Sequence, residues 1–202
     1  GFKAIMKEHD VPDWYIKSCE KIKYMFPKAH AAAYVTNAFR IAWFKVHIPL
    51  AYYAAYYSIR AKAFDAQWMI FGKEKVKNKM KEIEIKNQKK EATKAELDMY
   101  DDLEIVLEMY ERGFSFLPVD LYASDSTKFK IEEDKLRPPL NSIPGFGTVA
   151  AQGIVEARKD GKFMSIDDLK IRAKIGNSGA ELLKEFGCLK GMSQSNQMSL
   201  FG

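Results

Sequence analysis

NSIPGFGTVAAQGIVEARKDGK, residues 141–162, predicts a glycine-rich turn that opens a helix. Ile143 precedes a proline, so its backbone is driven towards an extended conformation. Gly145 and Gly147 then allow a tight turn that another molecule can approach closely. The apolar pattern behind the turn indicates an amphipathic helix that ends near Gly161. Free N–H groups and the positive end of the helix dipole are typical of a phosphate site. A helix–helix turn without a ligand is the alternative.

The residues of this turn resemble a known DNA-binding motif. IPGFG at 143–147, followed by Ala151, Ile154 and Arg158, is similar to the hairpin of a helix-hairpin-helix motif, which binds the DNA backbone without reading base sequence. The resemblance implies that backbone amides of the turn hold duplex phosphates, with a basic side chain adding charge. The residues it assigns to this contact are Gly145, Phe146, Gly147, Thr148, Arg158 and Lys159.

A weaker copy of the same pattern follows. Ser165 predicts the cap of a helix that ends at Ala173, residues 174–179 predict a second turn, and residues 180–186 predict another short helix. The region 141–191 therefore resembles a tandem helix-hairpin-helix domain with a degenerate second half. The second turn has Asn177 and Ser178 where the first has a lone Phe146, so it either binds phosphate or only packs against the first hairpin.

Composition sets broad limits on the function. The 202 residues are 47% hydrophobic, enough for one or two domains, and a net charge of +5 favours an anionic partner. Two distant cysteines, Cys19 and Cys188, indicate no disulfide framework and hence a reducing cytoplasm. The start, GFKAIMKEHD, does not resemble a signal peptide, and charged residues break every apolar stretch too soon for a membrane span. The missing initiator methionine suggests a fragment of a larger protein.

Residues 28–47, KAHAAAYVTNAFRIAWFKVH, predict a long helix with two different faces. One face is expected to be buried because small and branched residues recur on it every three or four positions: Ala31, Val35, Ala38, Ala42 and Val46. His30, Tyr34 and Asn37 share a separate polar and aromatic face. Such a face suits contacts with bases or phosphates, although a structural or merely exposed histidine is the alternative.

The string KYMFPKAHAAAYV at 23–35, followed by HIPL at 47–50, is similar to the fingers of bacterial family C replicative DNA polymerases, and within them most like the PolC type. The resemblance implies primer–template DNA, a deoxynucleoside triphosphate and the rest of the polymerase as partners. It also implies a pocket for nucleotide or template. The residues assigned to that pocket are Tyr24, Phe26, Lys28, His30 and Tyr34.

The middle of the chain predicts further helices and then a small β-containing connector. Pro49 starts a tyrosine-rich helix, which we expect to pack rather than to stack on bases. Residues 73–94 hold nine Lys and four Glu, a net charge of +5, and predict a solvated helix face that could also contact phosphates. Residues 94–112 predict a helix that Gly113 ends. A period-two pattern that starts at Phe114 and leads into residues 118–122 predicts a short strand, and a polar turn at residues 132–134 predicts a β-hairpin.

The tail 192–202 is rich in Ser, Gln and Asn and is expected to be flexible. It nevertheless finishes on apolar residues, and this ending resembles the peptide by which bacterial polymerases dock on the sliding clamp. The resemblance places Leu200 and Phe201 in an apolar pocket and Gln197 at its rim. The residues assigned to clamp binding are Gln197, Met198, Ser199, Leu200 and Phe201.

We therefore predict a mainly α chain with four parts: a helical fingers segment 1–113, a connector 114–140, a tandem helix-hairpin-helix domain 141–191 and a clamp-binding tail 192–202. No acidic pair has the setting of a polymerase metal site, so the resemblance implies that the catalytic aspartates and their Mg²⁺ ions belong to another part of the polymerase. This segment is expected to hold no cofactor and to be non-catalytic alone. The alternatives are a free-standing DNA-binding module of a repair protein and a helical scaffold protein.

Overall fold

The computed structural model describes residues 2–22 and 28–195. The fold is mainly α, as predicted, with ten α-helices and one three-stranded sheet among the described residues. Contacts between Cα atoms divide the chain into two compact units, Gly1–Trp43 and Phe44–Gly202. None of the described helices is long and apolar enough to cross a bilayer.

The first unit contains α1 (Phe2–Glu8), α2 (Asp13–Lys21) and most of α3 (Lys28–His47). The predicted bounds of α3 are confirmed, but its expected buried stripe is wrong. Val35 is 53% exposed and Val46 is 65% exposed, and the alanines between them are exposed as well. A helical apolar pattern is buried only where another element covers it, and none of the described elements covers this stripe.

Four helices begin the second unit: α4 (Pro49–Ile59), α5 (Ala66–Met69), α6 (Lys73–Gln88) and α7 (Lys94–Glu111). Pro49 occupies the first turn of α4, where its missing N–H costs no hydrogen bond. The expected packing role of the tyrosines is confirmed for Tyr53 and Tyr57, which are buried. A capping box between Thr93 and Glu96 starts α7, and α6 and α7 pack against each other.

The connector forms a small sheet of β1 (Ser115–Phe116), β2 (Lys130–Glu132) and β3 (Lys135–Arg137) in the order β1-β3-β2. β2 and β3 are the predicted antiparallel hairpin, and β1 adds to β3 in parallel. Of the strand predicted from Phe114 to residue 122, only Ser115–Phe116 forms, and the part over 118–122 is wrong. The Asp120 carboxylate accepts hydrogen bonds from the N–H groups of Tyr122 and Ala123, at 2.8 and 2.7 Å, which bend the chain into a turn.

The hairpin region contains a 3₁₀ turn (Leu140–Ser142), α8 (Thr148–Ala157), a second 3₁₀ turn (Arg158–Asp160), α9 (Ile166–Ala173) and α10 (Asn177–Glu185). Its buried side chains belong to one continuous core that runs from Tyr53 to Leu189. The predicted boundary at residue 113 therefore does not coincide with a division between compact units, and the four-part division stays a prediction.

The chain after α10 returns to the start of α9. The N–H groups of Ile166 and Asp167 donate to the carbonyls of Ser193 and Gln194, at 2.9 and 3.1 Å. The Gln194 amide also lies 3.4 Å from the Asp167 carboxylate. The first residues of the predicted flexible tail are thus hydrogen-bonded to the hairpin region.

Candidate nucleic-acid interface

The turn Ile143–Gly147 presents the start of α8 to solvent. Gly145 has a φ of 77°, which glycine adopts without strain. The first backbone hydrogen bond of α8 runs from the N–H of Ala151 to the carbonyl of Gly147, and no side chain caps the helix. Within the described part of the chain, no hydrogen-bond acceptor therefore pairs with the amides of Gly147, Thr148, Val149 and Ala150. Four amides at the positive end of a helix dipole suit a phosphate group.

Gly147 is the N-cap of α8, a position that favours glycine over alanine but favours Ser, Asn and Asp at least as much. Its φ of −69° and ψ of 152° are open to any residue, and a Cβ built there would meet no atom within 4 Å. Glycine costs conformational entropy on folding. The missing side chain at this open position leaves the backbone of Gly147 accessible to the close approach of another molecule.

Phe146 contributes to the turn by packing. Its side chain is 4% exposed, and a Cβ built on Gly179 of α10 would lie 3.4 Å from its ring. Its N–H already donates to the carbonyl of Ile143 at 3.0 Å. The Phe146 amide is thus used inside the turn, and its contact with a phosphate stays a prediction.

Arg158 and Lys159, which were predicted to add charge to the phosphate contact, follow the last residue of α8, at the far end from the turn. Ten residues of helix separate them from its start, roughly 15 Å at 1.5 Å per residue. The Arg158 guanidinium donates to the carbonyl of Leu121 at 2.8 Å, and burial lowers its pKa from the ordinary value. Lys159 pairs with Glu156. Arg158 therefore fastens the end of α8 to the connector.

The second hairpin has the same backbone conformation as the first, but its residues match those of the first hairpin at other positions than predicted. Lys174 takes the left-handed conformation with a φ of 53°, as Gly145 does with 77°. Ile175 is 7% exposed and matches Phe146, whereas the sequence had matched Asn177 and Ser178 to it. Gly176 precedes α10 with a φ of −78° and a ψ of 175°, as Gly147 precedes α8. α10 thus begins at Asn177, three residues before the predicted start.

The predicted nucleotide pocket lies on α3 in the first unit, as far as it is described. The rings of His30 and Tyr34 are 4.5 Å apart and tilted by 59°, which confirms that the two side chains share a face. Tyr34 is 65% exposed, and Lys28 begins the helix at an exposed position. Tyr24 and Phe26 lie outside the described residues. The place of all five residues in a pocket stays a prediction.

The structure gives no information on the predicted clamp peptide. Residues 197–201 of the clamp peptide lie outside the described part of the chain. Within residues 2–22 and 28–195, no group of three or more His, Cys, Asp or Glu side chains has the arrangement of a metal site. Cys19 and Cys188 are both free thiols.

The class of the hairpin region is shown by comparison with known proteins. A family model described as "Helix-hairpin-helix motif" matches residues 113–199. The match covers α8, α9 and α10 together with the connector. The hairpin geometry described above is therefore that of a helix-hairpin-helix protein.

Curated relatives match almost the whole chain, and each is named DNA polymerase III PolC-type. The protein from Clostridium perfringens is 52% identical over 99% of this chain, and that from Oceanobacillus iheyensis is 53% identical over 97%. The Streptococcus suis protein is 53% identical over the full length. The resemblance found in the sequence is confirmed: this chain belongs, as a segment, to the PolC-type DNA polymerase III family. It spans 14% of the length of each of these relatives.

Proposed function

We propose that this segment grips the backbone of duplex DNA through the hairpin at Gly147, for a polymerase that copies a DNA template. The observation that supports the grip is the open position of Gly147 beside amides without acceptors. Contacts of this kind go to phosphates, so they hold the duplex in place without selecting its sequence. The polymerase relatives support DNA as the ligand in preference to other phosphate compounds.

The grip is tested with Gly147→Asp in fluorescence anisotropy on a labelled primer–template duplex, over a range of salt concentrations. Aspartate is as good a helix cap as any residue, so the variant should fold at least as well as the wild-type chain. Its carboxylate would stand where phosphate approaches. We expect duplex affinity to fall at least tenfold, equally for two unrelated sequences. Wild-type affinity in this variant, or a loss confined to one sequence, would contradict the proposal.

Two comparison variants separate charge, bulk and location in the same assay. Gly147→Asn adds a side chain of the same size without charge, so its affinity should lie between those of the wild type and Gly147→Asp. Gly176→Asp makes the same change at the second hairpin. A loss there as large as that of Gly147→Asp would assign both hairpins to the duplex, and an unchanged affinity would leave the second one to packing.

The finer roles of the segment follow from the family resemblance. We infer that α3 contributes Lys28, His30 and Tyr34 to a pocket for template or incoming deoxynucleoside triphosphate, together with Tyr24 and Phe26. The exposed and adjacent rings of His30 and Tyr34 support this role. Gln197–Phe201 is proposed to tether the enzyme to a sliding clamp, which would raise its effective concentration at the primer end.

The polymerase activity itself is proposed for the longer protein to which such a segment belongs. Phosphoryl transfer of this kind uses two metal ions held by carboxylates, and we assign the Mg²⁺ ions to the palm of that protein. The free thiols suit a reducing cytoplasm. The alternative of a free-standing repair module explains the hairpin but gives no reason for 52% identity to polymerases along the whole chain.

A further inference from the structure

An open groove of about 510 Å³ borders the hairpin within the second unit. One wall is the turn itself, from Asn141 to Gly147. The opposite wall combines Ala63–Asp65, which precede α5, with Ala95 and Met99 of α7. The groove therefore begins at the proposed phosphate site and leads away from it towards the start of α7.

The wall opposite the hairpin is held rigidly by a buried carboxylate. Asp102 is 2% exposed and accepts hydrogen bonds from the N–H groups of Lys62 and Ala63, at 3.0 and 2.8 Å. Its other oxygen lies 3.3 Å from the Tyr56 hydroxyl. Burial raises the pKa of this carboxyl above its ordinary value. Because α7 carries Asp102 as well as Ala95 and Met99, both parts of the wall are fixed to each other.

Each of the two segments of this wall is preceded in the sequence by a lysine. Lys62 precedes Ala63, its side chain is 70% exposed, and its Nζ lies 3.4 Å from Asp98, which is the neighbour of Met99. Lys94 precedes Ala95 at an exposed position and forms no ion pair within residues 28–195. The carboxylate in the wall, Asp65, is turned to its own helix, since it accepts from the N–H of Gln67 at 2.7 Å.

We propose that this groove holds a sugar–phosphate segment of the DNA strand whose phosphate binds at Gly147. Lys62 and Lys94 would contact the neighbouring phosphates, and the deoxyribose would lie against the apolar surface of Ala95 and Met99. The inference rests on the proposed duplex grip and extends it from one phosphate to a continuous stretch of backbone. Such contacts are electrostatic, so they must appear in the salt dependence of binding.

The salt dependence is measured on the whole 202-residue chain. Affinity falls as salt rises, and each phosphate contact contributes about 0.9 to the steepness of log affinity against log salt. The double variant Lys62→Gln with Lys94→Gln should therefore make this slope less steep by about 1 to 2. The matched control neutralises Lys128 and Lys135, two exposed lysines outside the groove, and should leave the slope close to wild type. Equal slopes in the wild type and the groove variant, or equal losses in both double variants, would overturn the inference.

A second pair of variants tests the groove wall without removing lysines. Ala95→Glu places a carboxylate in the groove, in the first turn of α7, where an acidic side chain is favourable for the helix. Ala95→Gln has the same size and no charge. We expect Ala95→Glu to weaken duplex binding at least tenfold and Ala95→Gln by no more than about threefold. If the two variants weakened duplex binding equally, the proposal that the groove binds phosphates would be overturned.

The location of the contact is tested with duplexes in which one phosphate at a time is a neutral methylphosphonate. Wild-type affinity should fall at the phosphate that binds at Gly147 and at the neighbouring phosphates that Lys62 and Lys94 contact. Gly147→Asp should become insensitive at the first position, and the lysine double variant at the others. If the lysine variant keeps the wild-type pattern while Gly147→Asp alters it, the groove inference fails and the duplex grip stands. If Gly147→Asp binds like the wild type, the duplex grip fails as well.

Discussion

Three glycines of the hairpin region lack a side chain for three different physical reasons. Gly145 needs a positive φ of 77°. Gly153 lies in the middle of α8, where a Cβ would stand 2.4 Å from the carbonyl oxygen of Ala173. Gly147 has neither constraint. Only the third glycine is thus available as a mark of an external ligand.

The close approach of α8 to the end of α9 predicts the effect of Gly153→Ala. Alanine is favoured over glycine in a helix by about 1 kcal/mol. The clash is with backbone that cannot rotate away, and overpacking of this kind costs typically 1–3 kcal/mol or more. With the overpacking cost at the upper end of this range because backbone is involved, the net fall in the free energy of unfolding is expected to be about 1–2 kcal/mol, measured by urea denaturation.

Gly147→Asn is the control for that variant, because its Cβ meets no atom within 4 Å and asparagine caps a helix at least as well as glycine. Its stability should not fall by more than about 0.5 kcal/mol from the wild type. If both variants unfolded at the same urea concentration, the packing of α8 on α9 would not be as the structure describes.

His30→Ala should impair nucleotide incorporation by the polymerase that contains this segment more than it impairs duplex affinity. His30 is proposed to line the nucleotide pocket, and its ring packs against that of Tyr34, so its loss should disturb the pocket rather than the duplex contact. Pre-steady-state incorporation and anisotropy on the same primer–template compare the two effects. Thr36→Ala, on the same helix, is the control. Unchanged incorporation kinetics in His30→Ala would argue against a fingers site.

At the scale of elements, the junction between α6 and α7 depends on one glutamate. Glu96 accepts hydrogen bonds from Lys86 Nζ at 2.6 Å and from the N–H and hydroxyl of Thr93 at 2.8 and 2.9 Å. The bond from Lys86 is the largest cause of a lowered pKa of Glu96, from 4.5 to about 2, and the bonds from Thr93 add to it. The folded protein thus favours the ionised carboxylate.

This junction predicts a pH-dependent stability difference between the wild type and Glu96→Gln. A pKa lowered by folding stabilises the protein above the unfolded value, and this stabilisation is lost as pH falls through the folded value. The difference in melting temperature should therefore be constant above pH 4.5 and shrink from there towards pH 2. Calorimetry at several pH values measures it. A difference that stays constant down to pH 2 would contradict this role of Glu96.

At the scale of the whole chain, the start of the tail is tied to the hairpin region while its end carries the proposed clamp peptide. Ser193 and Gln194 accept backbone hydrogen bonds from the first residues of α9. If both proposals hold, DNA binding and clamp binding belong to separate segments of the chain. The two should respond to different substitutions.

The double variant Leu200→Ala with Phe201→Ala should therefore abolish clamp binding and leave duplex affinity unchanged. Its physical reason is the loss of the two apolar side chains proposed to fill a pocket. Surface plasmon resonance on an immobilised clamp measures the first effect, and anisotropy measures the second. Ser195→Ala with Asn196→Ala is the control just before the peptide. Equal clamp affinity in the wild type and the Leu200/Phe201 variant would remove the tail assignment.

The sequence by itself determined the helices α3, α4 and α7, the β2–β3 hairpin and the family, since these depend on local signals such as Pro49, the turn at Glu133 and contiguous motifs. Only the tertiary structure decided that the α3 stripe is exposed, that Arg158 bonds to Leu121 and that Ile175 matches Phe146. It alone brought the hairpin beside Ala63 and Ala95 in a groove. A local pattern shows which face of an element is apolar, but burial and contact depend on which distant residues the fold places against it.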